Sequence, residues 1–243
     1  MQNNSIYVGL SSLITLERRM DAIAHNVANV STVGFRGEGT KFSSIVSDKA
    51  SDDVSFATAG KSFIRTEAGP MIKTDNPLDV AVKGDVWMSV STPQGQIYTR
   101  DGRMNMLPTG DLVTVTGHPV LDVGGAPIVL NPAGGAPKIS SDGAIYQNGA
   151  QIGAIGLFTI PADAELTYAG TSGVIPNKPA QPVADDNSVG VVQGMIEGSN
   201  VDAMTEMTRL ISVSRAFEQV NNLLAQQETT VSEAIKTLGS RNG

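Results

Sequence analysis

The stretch NVANVSTVGFR, residues 26–36, follows a long amphipathic pattern and decides how the N-terminal part of the chain is interpreted. Asparagine tolerates left-handed backbone, glycine adopts it without steric cost, and a hydrophobic residue just past a helix end often packs back. The stretch therefore predicts the end of a helix, with Gly34 in the left-handed region and Phe35 packed near the junction. On these residues alone, an ordinary helix stop explains the pattern as well as a functional motif does.

Upstream of this stretch, apolar residues recur at alternating intervals of three and four from Ile6 to Val30. This heptad-like spacing is typical of a helix that packs along another helix. The seam consists of Leu13, Leu16, Met20, Ile23 and Val27, and Gly9 fills the remaining register position.

The C-terminal part of the chain carries a second seam with the same alternating spacing, which continues to Leu238. Its members are Leu210, Val213, Phe217, Val220 and Leu224. The next seam position is occupied by Gln227, the one polar residue in the pattern. Ser199 followed by Asp202 predicts a capping-box start, and Gly239 predicts the stop. Periodicity favours pairing of the two terminal helices within one chain, and it leaves open whether other subunits complete the burial of the seams.

The middle of the chain shows strand-like alternation and turn residues instead of helical spacing. Runs at 80–91, 96–106 and 111–122 are separated by Gly, Pro, Asn and Asp, and 167–190 is a Pro- and Gly-rich extended return segment. The predicted fold class is α+β, in which the N- and C-terminal helices pair as a coiled-coil-like domain around a β-rich middle of short, mainly antiparallel strands. The predicted parts are an N-terminal helix in 1–36, a linker that could hold one hairpin in 37–70, the middle domain in 71–190 and a C-terminal helix in 191–243.

Composition excludes several classes of partner and site. The formal net charge of −7 argues against nucleic acid and anionic membrane, which both need clustered Lys and Arg. The chain has no cysteine, so disulfides and thiolate metal sites are excluded. We expect no cleaved signal peptide, because the N-terminus lacks a basic region followed by a continuous apolar run, and we expect no membrane insertion.

Catalytic patterns are weak, and we expect neither an enzyme nor a cofactor or metal site. The two histidines, His25 and His118, lie in no HxxxH or HExxH spacing, and no P-loop, GxGxxG or GxSxG occurs. Of the aspartates that could form an acid/base pair for glycoside cleavage, Asp79 is the hardest to explain by a turn. Arg100 and Arg215 could clamp a substrate, but the favoured expectation is that they bind carboxylates such as Glu218 or those of a neighbouring subunit.

Three separated blocks resemble the bacterial flagellar rod and hook proteins. That family carries Asn–x–x–Asn–x–x–Thr–x–Gly–Phe–Arg/Lys after its first helix, and here these positions are Asn26, Asn29, Thr32, Gly34, Phe35 and Arg36. TDNPLDVAVKGDVWMSV (74–90), together with 97–106 and 110–121, resembles the central block, and QGMIEGSNVDAMTEMTRLISVSRAFE (193–218) resembles the C-terminal block. Asp75 stands where the family usually has Gly, and Trp87-Met88 replaces a pair of phenylalanines.

The resemblance implies a structural subunit that stacks helically into a hollow shaft crossing the periplasm and transmitting torque. The implied partners are copies of the chain, other rod proteins and the flagellar type III export apparatus, which would export it without a cleaved signal. Chain length favours the proximal-rod members over the longer hook and distal-rod members. Asn26 to Arg36 would form a helix-exit joint, and the two seams would serve assembly. The alternatives are another rod or hook subunit, or a periplasmic domain that binds or cleaves peptidoglycan.

Overall fold

The computed structural model describes residues 2–41, 44–46, 55–57, 61–183 and 188–239. The chain divides into two units, and each is described by itself. One unit combines residues 1–27, 38–62 and 202–243, and the other combines residues 28–37 and 63–201. We call them the helical unit and the middle unit. The division into four predicted parts remains a prediction.

The helical unit is built on two long helices, α1 (Gln2–Ala28) and α2 (Ala203–Gly239), which pack together. A Cβ atom added at Gly9 would lie 2.6 Å from Leu224 Cδ2, so the backbone of α1 comes into close contact with that leucine. The segments that flank the helices are also adjacent, because the Asn200 amide donates to the Phe35 carbonyl at 3.3 Å. The two helices therefore run antiparallel.

Gly9 and Leu224 set the register of the pair, in which facing residue numbers sum to 233. In this register the two predicted seams face each other position by position, since both alternate intervals of three and four. From this register we infer that Leu13 lies opposite Val220, Leu16 opposite Phe217, Met20 opposite Val213 and Ile23 opposite Leu210. The side chains of Ile6 and Leu238 lie outside the described residues.

One helix partner covers the seams only in part. Ile23 and Val213 are buried at 5% and 3% exposure, whereas the other eight predicted seam residues remain half-buried. A seam flanked by a single helix leaves both sides of each apolar side chain open to water.

The start of α2 corrects the predicted cap. Asp202 caps the helix: its carboxylate accepts from the Thr205 amide at 2.7 Å, and its carbonyl accepts from the Glu206 amide at 3.0 Å. Ser199 Oγ instead accepts from the Val201 amide at 3.2 Å, outside the helix. Both residues suit an N-cap, and the helix begins at the one whose oxygen reaches the third helical residue.

Nineteen short strands lie between the helices in the described part of the chain. They are β1 (Glu38–Lys41), β2 (Ser44–Val46), β3 (Ser55–Ala57), β4 (Lys61–Ile64), β5 (Met71–Lys73), β6 (Val80–Lys83), β7 (Trp87–Thr92), β8 (Gly95–Thr99), β9 (Met104–Met106), β10 (Leu112–Thr114), β11 (Lys138–Ile139), β12 (Ala144–Gln147), β13 (Ala150–Ala154), β14 (Leu157–Thr159), β15 (Leu166–Ala169), β16 (Gly173–Pro176), β17 (Gln181–Pro182), β18 (Gly190–Gln193) and β19 (Met195–Glu197).

The largest sheet has the order β15-β16-β8-β7-β14-β17, and a smaller one has the order β11-β12-β13. The remaining strands form pairs, among them β18 with β6 and β19 with β5. Every register determined between strands is antiparallel. The predicted return segment adds three strands, β15, β16 and β17, to the large sheet. The predicted α+β fold class is confirmed.

Alternation within these strands builds the core of the middle unit. Its larger cluster includes Val80, Val82, Met88, Val90 and Ile145, and a second cluster surrounds Trp87. The β12–β13 hairpin turns through Asn148-Gly149, both with positive φ (51° and 78°), as a two-residue type I′ turn requires.

Candidate helix-exit joint

The exit segment, residues 29–37 of the middle unit, is a chain of short turns. The Thr32 amide donates to the Asn29 carbonyl at 3.1 Å, and the Thr32 hydroxyl donates to Asn29 Oδ1 at the same distance. The Phe35 amide then donates to the Thr32 carbonyl at 3.3 Å. The Asn and Thr side chains therefore close the turn that follows α1, using local side-chain bonds that compete with helix continuation.

Gly34 is required by both its conformation and its surroundings. Its φ is +69°, and a Cβ atom there would lie 2.3 Å from the Asp101 amide nitrogen and 2.6 Å from the Arg100 carbonyl carbon. Its own amide donates to the Glu197 carbonyl at 2.7 Å. A side chain at this position would collide with backbone on the opposite segment, which cannot move aside cheaply.

Phe35 is fully buried and stacks on Tyr168, with ring centroids 5.9 Å apart and planes 2° from parallel. The Tyr168 hydroxyl donates to the Arg36 carbonyl at 2.7 Å. One aromatic side chain of β15 therefore holds two consecutive residues of the exit segment, by stacking and by a hydrogen bond.

Arg36 enters a buried cluster of charges centred on Glu197. Arg36 Nη2 lies 2.6 Å from Glu197 Oε1, Arg100 Nε lies 2.7 Å from Oε2, and all three side chains are 1% exposed. The carboxylate also accepts from the Gly69 amide at 2.8 Å. Arg100 extends further and donates to the carbonyls of Val82 and Gly84 at 3.0 and 2.8 Å.

Two guanidinium groups thus share one carboxylate over the ring of Trp87. Their central carbons lie 5.8 Å (Arg36) and 5.6 Å (Arg100) from the indole centroid, within the range of cation–π attraction. Burial and the neighbouring Arg100 charge lower the pKa of Arg36, and Glu197 opposes that shift.

Arg36 is the less satisfied cation of the pair. Its contact with Glu197 is close enough for an ion pair but poorly aligned for a hydrogen bond, and its Nε and Nη1 also lack acceptors among the described residues. Of the two arginines, Arg100 therefore has the better-satisfied guanidinium.

Asn200 ties the exit segment to the segment before α2. Its Oδ1 accepts from the Gly37 amide at 2.7 Å, and its Nδ2 donates to the Glu67 carbonyl at 2.9 Å. The Arg65 amide donates to the Gly37 carbonyl at 2.8 Å. The chain leaving α1 and the chain entering α2 are therefore bonded to each other through side chains as well as backbone.

Within the helical unit, Asn26 joins the last turn of α1 to β1. Its Nδ2 donates to the Glu38 carbonyl at 2.9 Å, and its Oδ1 accepts from the Glu38 amide at 2.7 Å. The buried Asn26 amide thus pairs with both the N–H and the C=O of Glu38, which a neighbouring β-strand would otherwise bind. His25 Nδ1 lies 3.5 Å from a Glu38 carboxylate oxygen, on the partly exposed side.

The structure brings the motif residues Asn29, Thr32, Gly34, Phe35 and Arg36 into one continuous segment, and it places Asn26 in the helical unit. Sequence reasoning missed Glu197 and Asn200, which stand far along the chain in the stretch EGSN (197–200). It also gave Arg100 the wrong carboxylate partner: the partner is Glu197 of the same unit, because β8 and β19 both lead into this cluster.

The acid/base candidate Asp79 and the buried Asp101 are both engaged in structural bonds. Asp101 lines a cavity of about 290 Å³ with Thr114 and His118. Both oxygens of Asp101 bind Arg103, at 2.9 and 2.6 Å. Asp79 accepts from Asn76 Nδ2 at 2.9 Å. Within the described residues, no group of three His, Cys, Asp or Glu side chains could hold a metal ion.

Neither of the two described helices is long and apolar enough to cross a membrane. This finding concerns only the part of the chain that the structure describes.

Three family models match the chain in the order of its three blocks. The model described as flagella basal body rod protein matches residues 6–36, and the flagellar hook protein FlgE/F/G D1 domain matches residues 81–175. The model described as flagellar basal body rod FlgEFG protein C-terminal matches residues 192–237.

Whole-chain relatives agree with these models. The chain is 47% identical to the flagellar basal-body rod protein FlgF of Mesorhizobium japonicum, over 98% of this chain and 99% of the relative. It is 44% identical to the FlgF of Rhizobium meliloti, over 96% and 97%, and 35% identical to that of Caulobacter vibrioides, over 99% and 100%.

Proposed function

The chain belongs to the flagellar basal-body rod protein family as a FlgF-like structural subunit, and we propose that its copies stack helically in the proximal rod and transmit torque. It localises to the flagellar basal body and assembles with other rod and basal-body proteins. The comparisons do not favour the alternative of a peptidoglycan-binding or peptidoglycan-cleaving domain.

The exit joint is the observation that carries this proposal. Every motif residue from Asn29 to Arg36 is held by a turn, a ring stack or an ion pair, and Gly34 admits no side chain. In a polymer, each subunit must send its chain out of α1 along the same course, so a tightly bonded exit segment serves assembly better than a loose loop does. The half-buried seams add apolar surface that neighbouring subunits would cover.

The finer parts of the proposal follow from the family. The subunit is expected to reach the growing tip of the shaft through the flagellar type III export apparatus, to reside in the periplasmic part of the rod and to catalyse no reaction. Incubation of the intact protein with peptidoglycan should release no soluble fragments, whereas steady release would contradict a purely structural role.

The decisive experiment replaces the native gene with a Gly34→Val, Phe35→Ala double variant. We expect loss of swimming and an absence of complete rods in basal bodies viewed by electron microscopy, because the exit segment loses its buried ring and gains a clash. Gly170→Ala is the control, since Gly170 has nearly the same φ (71°) but no atom within 4 Å of an added Cβ. Normal motility and normal rods in the double variant would refute the role of the joint.

A further inference from the structure

The two helices expose large apolar side chains outside their common seam, and these side chains divide between opposite flanks. A residue that follows a seam position projects on one flank of a helix, and a residue that precedes a seam position projects on the other. In an antiparallel pair, the following positions of both helices share a flank. We call it the first flank, and the opposite one the second flank.

The first flank carries an apolar surface contributed by both helices. Leu10 and Ile14 follow the seam positions Gly9 and Leu13 of α1, and they are 51% and 40% exposed. Toward the other end of the pair, α2 contributes Met204, Met207 and Ile211, which are also exposed.

The second flank carries one exposed leucine. Leu223 precedes the seam position Leu224 and is 64% exposed. Nearer the end of α1, the same flank is occupied within the chain, because Asn26 precedes Val27 and binds Glu38 of β1, and Ala22 beside it is 6% exposed. The open part of the second flank is therefore the part around Leu223.

Leu223 and Leu10 lie at the same height along the pair, since their numbers sum to 233 like those of Gly9 and Leu224. They project on opposite flanks, so they do not cover each other within one chain. A second copy set beside the first at the same height would place its Leu223 against Leu10 and Ile14. This contact would extend the partly buried α1–α2 seam sideways without a break.

We propose that Leu223 of one subunit packs on Leu10 and Ile14 of the next, so that helix pairs associate flank to flank. This inference rests on the proposed polymeric function. The two contacting patches differ, so the contact is heterologous. A pair of subunits leaves one patch free at each end, and further subunits can therefore add to form a ring or a helical array.

The cysteine-free chain allows a direct test by disulfide cross-linking in rods isolated from cells that carry the variants. Leu10→Cys combined with Leu223→Cys should form oxidant-dependent dimers and longer ladders on non-reducing gels. The control pair is Asp21→Cys with Leu223→Cys. Asp21 lies on the first flank but about 16 Å further along the helix than Leu10, at 1.5 Å per residue. We expect at least about tenfold less cross-linked product from the control, because a disulfide needs Cα atoms within roughly 7 Å.

The outcomes separate this inference from the proposed function. Rods that contain the cysteine pair but give no ladder would overturn the flank contact alone. Equal cross-linking by Leu223→Cys without a second cysteine would also overturn it, because that result means a symmetric contact. Absence of the unmodified protein from isolated rods would overturn the proposed function instead.

A second pair of variants covers the case in which the cysteines disturb assembly. Leu223→Asp should abolish swimming, whereas Asn222→Asp, at the exposed neighbouring position that points away from both flanks, should leave it unchanged. Unimpaired swimming with Leu223→Asp would contradict the proposed contact.

Discussion

Removal of the Glu197 carboxylate is the sharpest test of how the exit joint is stabilised. Glu197→Gln keeps the size of the side chain and an oxygen for the Gly69 amide, so the change isolates the negative charge. Arg36 and Arg100, both 1% exposed, then lose their shared anion. Breaking a buried ion pair from one side costs about 3–5 kcal/mol, because an uncompensated charge stays in the interior.

That loss is large compared with the stability of a typical domain, about 5–15 kcal/mol. For a chain of this size it corresponds to a fall in Tm of roughly 6–20 °C. Glu67→Gln, the same substitution at an exposed position, should change the free energy of unfolding by less than about 0.5 kcal/mol.

Arg36→Met provides an internal comparison for Glu197→Gln. It removes the cation whose donors are poorly satisfied and leaves Arg100 paired with Glu197, so we expect a smaller loss of about 1–2 kcal/mol. We expect Glu197→Gln to be the more destabilising of the two because the cluster holds two positive charges and one negative charge. Loss of the carboxylate leaves both cations unpaired, whereas loss of Arg36 leaves a balanced pair.

Trp87 makes these variants easy to measure. It is the single tryptophan of the chain, 1% exposed, and both guanidinium groups lie over its ring. Urea unfolding followed by its emission therefore reports on the cluster itself, and circular dichroism at 222 nm reports on the helices. The reasoning is refuted if Glu197→Gln costs less than about 1 kcal/mol, or no more than Arg36→Met.

Three further outcomes are expected. Gly34→Ala should lower the free energy of urea unfolding by at least about 2 kcal/mol more than Gly170→Ala, since both strain a positive φ but only Gly34 meets backbone; equal losses would contradict the clash. Gly9→Leu should separate α1 from α2 and lower helicity by circular dichroism, and adding Leu224→Ala should restore part of it; no rescue would count against the register. Hydrogen bonds from Thr205 lower the pKa of the Asp202 carboxyl. The capping contribution to stability is therefore present above the ordinary Asp pKa and is lost as the pH falls through the lowered pKa of the folded protein. An unshifted Asp202 pKa by NMR, or the same loss of stability at acid pH in Asp202→Asn, would contradict this.

The two helical seams could be predicted from the sequence because their apolar residues recur at regular intervals. Both seams appear as alternating intervals of three and four, and the approach of Leu224 to Gly9 then places the other four facing pairs in register. Gly34 was also accessible, since a glycine just past a helix end commonly adopts the left-handed conformation that stops the helix. Alternation around Val80 to Val90 likewise indicated strands.

The centre of the joint was not accessible, because its parts come from distant segments. Nothing in EGSN (197–200) shows that Glu197 will meet two arginines, since an isolated Glu is usually solvated. The cap was misplaced for a related reason: Ser199 and Asp202 have equal capping chemistry, and only the fold shows that Ser199 and Asn200 are used before the helix begins. Pairing partners depend on topology, which the antiparallel return of β19 beside β5 determines.

In the proposed rod, the missing side chain at Gly9 has a mechanical consequence. A load along the helices tends to make one slide past the other, and the next matching alignment lies one heptad, about 10 Å, away. In one direction of sliding, that alignment would bring Leu224 against the side chain of Leu16 instead of the bare backbone at Gly9. Sliding would therefore move Leu224 away from Gly9 before the seams could pack in the next register. The close packing at Gly9 thus opposes sliding of α1 along α2.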